Sequence, residues 1–255
     1  MDILTEIIKK RALTVPSREE SQKWDLKPVT INVTDRLKNK GRLNLIAEIK
    51  KKSPSKGSIN ESISIPGAVE LYQPFASAIS VLTEPEYFGG SLHDLKEASR
   101  LTDIPLLRKD FLTDPMQVLE ARAYGASFFL LIQAALSKLQ VQEMIAAGKE
   151  YNMPALVEVH NEKELELAFE NNIEILGINN RNLHDLSIDL NTTQRLVQTI
   201  PARLQSKIVI VSESGLSTKG DLDKLPALVD AVLIGTSFMS SNNPENLLKE
   251  MFPGS

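Results

Sequence analysis

LNLIAEIK, residues 43–50, opens as an apolar run of β-forming character and ends in charge, with Glu48 and Lys50 two residues apart. Lys51, Lys52 and a Ser-Pro-Ser break at 53–55 follow at once. Side chains alternate faces along a strand, so Glu48 and Lys50 share one face, Ile49 and Lys51 the other. On this reading Lys51 and Lys52 face solvent. Similar β-rich runs return at SAISVLTE (77–84), PLLRKDF (105–111), SFFLLIQ (127–133), PALVEVH (154–160), ILGINNR (175–181), KIVIVSE (207–213) and AVLIGT (231–236). Between them lie stretches with helical spacing, among them DPMQVLEARAYG (114–125), LSKLQVQEMIAAGKEY (136–151), NEKELELAFENN (161–172) and NTTQRLVQTI (191–200). Cap-like residues precede several helices: Asp114 before Pro115, Ser137, Asn161, and Ser217 ahead of TKGDL.

Strand and helix thus alternate eight times in about 200 residues, and the runs are apolar on both faces. The pattern predicts an α/β protein of the closed parallel type, the (β/α)8 or TIM barrel. An open doubly wound sheet is the rival. The number of units argues against it, as does the lack of a glycine-rich dinucleotide fingerprint after any run. Residues 1–42 stand outside the repeat. Ile3, Leu4, Ile7 and Ile8 form an apolar face there, which predicts helices laid across one end of the barrel, with Trp24 serving packing. The chain therefore reads as a single barrel domain over 1–255, with 1–42 as a helical extension capping it.

Composition narrows the functions. The 255 residues are 42% hydrophobic, enough for one large core, and 29 basic residues against 33 acidic ones give a net charge of -4. Neither a nucleic-acid backbone nor an anionic membrane is favoured as the main partner by that balance, so attraction for anions has to be local. With 0 cysteines the chain offers no disulfide, thiol nucleophile or cysteine-ligated metal. The N-terminus lacks the basic start and continuous apolar core of a signal peptide, and no run approaches a membrane span, so a cytoplasmic protein is expected.

Charges at the carboxyl ends of barrel strands point into the rim where barrel enzymes keep their active sites. Besides Glu48 and Lys50, the runs end in Arg108, Lys109 and Asp110, in Glu158, in Asn179 and Arg181, and in Glu213, Ser214 and Gly215. Taken singly, each is explained by an ion pair between neighbouring strands. Five at one rim point to polar chemistry. Lys109 and Glu158 are the sharpest cases, because apolar surroundings disfavour a lone charge unless a partner or ligand stabilises it. SESGLS and LIGTSFM, which close the seventh and eighth runs, each place a glycine beside a hydroxyl residue. Loops at those two positions form the phosphate site of many barrels, so together they favour a phosphorylated small-molecule substrate.

LIAEIKKKSPS, ISVLTEPEYFGGS, LLRKDF, LVEVH, GINNRNL, VSESG and LIGTSFM, in this order, resemble indole-3-glycerol phosphate synthase, a tryptophan-pathway barrel family. The likeness runs from about Leu45 to Met239, and the helical N-terminal extension is also typical of the family. The resemblance implies conversion of 1-(2-carboxyphenylamino)-1-deoxyribulose 5-phosphate to indole-3-glycerol phosphate by ring closure, decarboxylation and dehydration. No metal and no organic cofactor is implied, and a monomer is expected.

By the same resemblance Lys109 matches the general acid that protonates the ribulose carbonyl oxygen, and Glu158 the general base or cation-stabilising carboxylate. Lys50 matches the residue near the anthranilate carboxylate and departing oxygen, with Glu48 its acidic neighbour. Asn179 and Glu213 match contacts to ribulose hydroxyls. Ser53, Arg181, Ser214, Gly215, Gly235 and Thr236 match phosphate and rim contacts, Thr236 keeping the hydroxyl of a common serine. Phe88, Phe111, Leu131 and Leu183 match the apolar wall around the anthranilate ring. Phosphoribosylanthranilate isomerase or the tryptophan synthase α-subunit would share the phosphate loops but not AEIKKKSPS or LRKDF. A non-catalytic barrel would carry neutral residues in place of Lys109 and Glu158.

Overall fold

In a computed structural model, which describes residues 3–60, 63–183 and 185–253, the predicted strands close into one eight-stranded barrel. The strands are β1 (Asn44–Ile49), β2 (Ala78–Leu82), β3 (Leu106–Lys109), β4 (Phe128–Ile132), β5 (Ala155–Val159), β6 (Ile175–Asn179), β7 (Val209–Glu213) and β8 (Ala231–Ile234). Every neighbouring pair is parallel, and β1 closes the cylinder by pairing with β2 (Ile49 opposite Val81) and with β8 (Ala47 opposite Ile234). Each strand falls inside the run read for it. Several stop short of the run's charged end: β1 ends at Ile49 before Lys50, β3 at Lys109 before Asp110, and β6 at Asn179 before Arg181.

Helices cover the outside. They are α1 (Ile3–Ala12), α2 (Arg18–Ser21) and α3 (Val33–Leu37) ahead of the barrel, then α4 (Ile65–Tyr72), α5 (Leu92–Leu101), α6 (Pro115–Ala123), α7 (Lys138–Lys149), α8 (Glu162–Phe169), α9 (Asn191–Thr199), α10 (Ala202–Gln205), α11 (Lys219–Leu222), α12 (Thr236–Met239) and α13 (Pro244–Met251). Asp114, Ser137 and Asn161 each accept a backbone N–H of the first turn, which satisfies a donor the helix cannot pair itself. Ser217 is not a cap. That role falls one residue later to Thr218, whose hydroxyl accepts from the Asp221 N–H, while Ser217 bonds the Asp221 carboxylate.

The N-terminal extension spans both ends of the barrel rather than one. α1 lies at the mouth, where the Arg11 guanidinium grips Asp110, the residue after β3. Farther on, the Val29 N–H donates to the Tyr151 carbonyl at 2.8 Å, and Lys38 Nζ reaches the Ile208 carbonyl at 2.6 Å and Asp230 at 3.1 Å, below β7 and β8. Val33 and Leu37 of α3 are buried in the core. No helix among the described residues is long and apolar enough to cross a membrane.

Candidate active site

A cavity of about 330 Å³ opens at the carboxyl ends of the strands. Period-two alternation sends Glu48, Lys109, Glu158, Asn179 and Glu213 into it from five different strands, with Lys50 following from the end of β1. The same alternation turns Arg108 and Asp110 outward. Arg108 is fully buried against α6, donating to the Gln117 carbonyl at 2.8 Å and to Glu120 at 2.9 Å, and it meets Asp110 at 3.1 Å. Arg108 braces the barrel wall behind Lys109 and is not a mouth residue, whereas Asp110, paired with it, also reaches the cavity lining.

Lys109 Nζ stands 2.7 Å from Glu213 Oε2 and 3.5 Å from Glu158 Oε2. On the opposite wall, Lys50 Nζ meets Glu48 Oε2 at 2.5 Å. Burial disfavours the ammonium of Lys109, yet Glu213, Glu158 and Glu48 hold it charged far above its ordinary range. Burial likewise opposes the Glu158 carboxylate, but Lys109 on one side and His160 on the other hold it down to about 2. For Glu213 burial wins. With the charge of Glu158 nearby, it is pushed up to about 7 although Lys109 opposes the shift. The closer partner thus belongs to the less acidic carboxylate. The difference lies in the second oxygen of Glu213, Oε1, which is buried without a hydrogen-bond partner, whereas Oε1 of Glu158 faces His160 Nε2 at 3.2 Å.

Two glycines make room for these carboxylates. A Cβ on Gly177 would lie 2.3 Å from Glu213 Oε1, and one on Gly235 would lie 2.5 Å from Glu48 Oε2. Neither position tolerates a side chain while the glutamate keeps its place. Ser214 and Gly215 both take left-handed backbone, with φ of 65° and 84°, at the turn that leaves β7. Such strain in a non-glycine residue clusters at functional sites. Together with Ser53, Arg181, Gly235 and Thr236 they line the cavity, and the half-buried Arg181 donates to the Leu186 carbonyl at 3.0 Å.

Phe88 and Phe111 form one wall with ring centres 5.8 Å apart, and Leu183 lines it as read from the sequence. Leu131 does not. It is buried on the other face of β4, and its neighbours Leu130 and Ile132 line the cavity instead. Of the N-terminal apolar face, Ile3, Leu4 and Ile7 line the mouth and Ile8 does not. Lys51 is no free surface charge, since it pairs with both oxygens of Asp94 at 2.9 and 2.8 Å. Leu82, Leu186, Ile188, Leu216, Leu233 and Ile234 add to the apolar lining and carry no signal in the sequence beyond hydrophobicity.

A family model described as indole-3-glycerol phosphate synthase matches residues 4–251. Among curated proteins, the indole-3-glycerol phosphate synthase of Petrotoga mobilis is 42% identical over 239 residues, which is 92% of this chain and 93% of that protein. The protein of the same name from Dehalococcoides mccartyi is 46% identical over 221 residues, 84% of each chain. Among solved structures, 3-keto-L-gulonate-6-phosphate decarboxylase from Vibrio cholerae superposes with a TM-score of 0.60 at 10% identity, over 84% of this chain and 95% of that one. A mutant tryptophan synthase alpha-subunit from Pyrococcus furiosus gives 0.59 at 10% identity, over 82% and 97%. Those two likenesses concern the barrel alone.

Proposed function

The chain belongs to the indole-3-glycerol phosphate synthase family, and from that premise we propose how its mouth residues divide the work. The reaction is the conversion of 1-(2-carboxyphenylamino)-1-deoxyribulose 5-phosphate to indole-3-glycerol phosphate in tryptophan biosynthesis, with loss of carbon dioxide and water. It makes the protein a carbon–carbon lyase, and the isomerase alternative is not favoured.

The observation that carries the assignment is the position of Lys109 Nζ between two carboxylates at the floor of the mouth. As the aromatic carbon attacks the ribulose carbonyl, negative charge grows on the carbonyl oxygen. Lys109, held charged, supplies the donor and proton that oxygen needs. The ring becomes cationic in the same step, and loss of carbon dioxide restores its aromaticity. Glu158, ionised at any working pH, stabilises that developing cation better than it serves as a base, so the choice left open by the sequence falls on the electrostatic role. Dehydration then requires a proton on the departing hydroxyl and removal of one from the neighbouring methylene. Lys50 with Glu48 fits the departing oxygen. Glu213, titrating near neutral pH, contacts the ribulose hydroxyls and can take up or release a proton there.

Arg181, Ser53 and the turns at Ser214-Gly215 and Gly235-Thr236 receive the phosphate, a reading supported by their place in the cavity lining and by the position of the two turns after β7 and β8. The phenyl ring lies against Phe88, Phe111 and Leu183. A phosphorylated biosynthetic substrate and a chain with no cysteine fit cytoplasmic work, and one barrel supplies every residue invoked. Fluorescence detection of indole-3-glycerol phosphate formed by the purified protein tests the reading; loss of that signal in Lys109→Met with substrate still bound is the expected result, and turnover persisting in that variant would sink it.

A further inference from the structure

His160 is a largely buried titratable group beside the reacting cluster that the chemistry above leaves unused. It is the first residue after β5, and its side chain is 11% exposed. Its Nε2 lies 3.2 Å from Glu158 Oε1, an ion-pair distance without hydrogen-bond alignment, and its Nδ1 lies 2.9 Å from Glu164 Oε2. Glu164 is itself fixed. It accepts the His160 backbone N–H at 2.8 Å and Asn161 Nδ2 at 2.6 Å, while its own N–H donates to the Asn161 side chain at 3.0 Å in the first turn of α8. A carboxylate there is also favoured by the helix N-terminus.

A neutral imidazole has one N–H and one lone pair. Between two carboxylates it would turn that lone pair toward a negative charge in a site with little water. Only the imidazolium places a proton at both nitrogens.

We propose that His160 is a positioning residue, an imidazolium clamped between Glu158 and Glu164 that keeps Glu158 ionised and fixed for the reaction. The proposal rests on the reading of Glu158 as a working carboxylate. The charged and polar groups around the clamp are Glu164 from α8, Glu158 from β5 and, beyond Glu158, Lys109 from β3 and Asn179 from β6. Lys109 sits closer to Glu213 than to Glu158, so one ammonium serves two buried carboxylates unevenly. His160 is the second cation, and of these two carboxylates it pairs with Glu158. Remove it and Glu158 loses a cation of its own and is left with the lysine that Glu213 holds more closely, so its affinity for a proton rises. The balance of charges agrees: burial opposes the imidazolium, but the two glutamates raise its pKa to about 10.

The test compares kcat/KM from about pH 5 to about pH 8 for the unaltered enzyme, His160→Gln, His160→Lys and Glu158→Gln, with substrate binding and thermal midpoint followed alongside. The ratio of His160→Gln to unaltered enzyme should fall by about tenfold or more as pH drops across that range, because only the variant's Glu158 gains a proton. His160→Lys should flatten the ratio by restoring a cation. A ratio below one that does not vary with pH would mean a merely structural role and overturn the proposal. If Glu158→Gln itself keeps near-normal kcat, the reading of Glu158 fails and takes the clamp with it; a dead Glu158→Gln beside a pH-independent ratio defeats the clamp alone. Should His160→Gln not fold, the imidazole proton resonances of the unaltered protein decide. His160 should not titrate between about pH 5.5 and 8.5, and a titration near the free value of about 6.5 would overturn the proposal.

Discussion

Arg11 and Asp110 meet through two parallel hydrogen bonds, Nε to Oδ1 at 2.9 Å and Nη2 to Oδ2 at 2.8 Å. One residue lies at the end of the mouth helix α1, the other immediately after Lys109. The fork geometry suits a guanidinium and not an ammonium. Asp110 is held well below the usual carboxylate range against its burial, chiefly by Arg108 and then by Arg11. Because α1 also presents Ile3, Leu4 and Ile7 to the cavity, this pair ties substrate enclosure to the strand that carries Lys109.

Arg11→Met should therefore lower stability by about 3 kcal/mol, the scale for breaking one side of a buried pair. It should also raise KM more than it lowers kcat, since the wall loosens while Lys109 stays in place. Arg11→Lys should recover only part of either effect. Calorimetry and steady-state kinetics on both variants decide, and an unchanged KM in a destabilised Arg11→Met would mean that α1 is a brace with no part in binding.

Lys109→Met and Glu158→Gln should each cost about 10²- to 10⁴-fold in kcat, the range for losing a positioned proton donor or a charge stabiliser. Their stabilities should differ. Glu158→Gln leaves Lys109 with Glu213 at 2.7 Å, so its thermal midpoint should move little. Lys109→Met leaves two buried carboxylates without their shared cation, so its midpoint should drop more at pH 8 than at pH 5. Equal drops relative to the unaltered protein at both pH values would show that the lysine does not hold the glutamates' charges. Lys51→Met makes a control for catalysis: it breaks the partly buried pair with Asp94 and should leave kcat near normal.

Much of this was legible in the chain, and the limits have physical causes. The eight runs and the inward-facing Lys109, Glu158 and Glu213 follow from periodicity and from the rule that strand ends carry the chemistry. LRKDF reads as a strand through Phe111 because an aromatic residue closes the run after three charges, but pairing stops at Lys109, and the Asp110 carboxylate accepts the Phe111 N–H at 2.8 Å just beyond it. Leu131 was placed by family resemblance on the wall that its neighbours occupy; which face of an all-apolar strand points inward is not written in that strand. The Arg11–Asp110 tie joins residues 99 apart and left no local trace. His160 did leave one, since a histidine with a glutamate four residues on, across a helix start, is a spacing that brings the two side chains together.

Glu213 gives a stability test with a definite sign. Its carboxyl is raised from 4.5 to about 7, so the stability it contributes is complete below pH 4.5 and is lost as pH rises through about 7. Glu213→Gln cannot lose it. The thermal midpoint of the variant, measured relative to the unaltered protein, should climb as pH rises from about 4.5 to about 7.5. A flat or falling difference would mean that Glu213 is ionised throughout, with Lys109 outweighing burial.

The glycines at 177 and 235 separate packing from chemistry. An added methyl at Gly177 meets Glu213 Oε1 and, at 2.5 Å, Leu156 Cδ2; at Gly235 it meets the carboxylate and side-chain carbons of Glu48. Overpacking of this kind typically costs about 1–3 kcal/mol. In both places the nearest atom is the end of a glutamate that can swing away toward the open cavity, and at Gly235 the Glu48 Cβ at 2.8 Å has to shift as well, so a site residue is displaced in each case. Gly235→Ala should therefore lose kcat more than its midpoint loss suggests, and the Lys50–Glu48 pair of 2.5 Å should break. Gly177→Ala should do the same to Glu213, with a larger midpoint loss because Leu156 is fully buried and cannot yield as freely. Crystal structures and kcat for the two variants settle it. If both glutamates keep their positions and kcat falls only in proportion to stability, the glycines serve packing alone, and the placement of Glu48 and Glu213 does not depend on them.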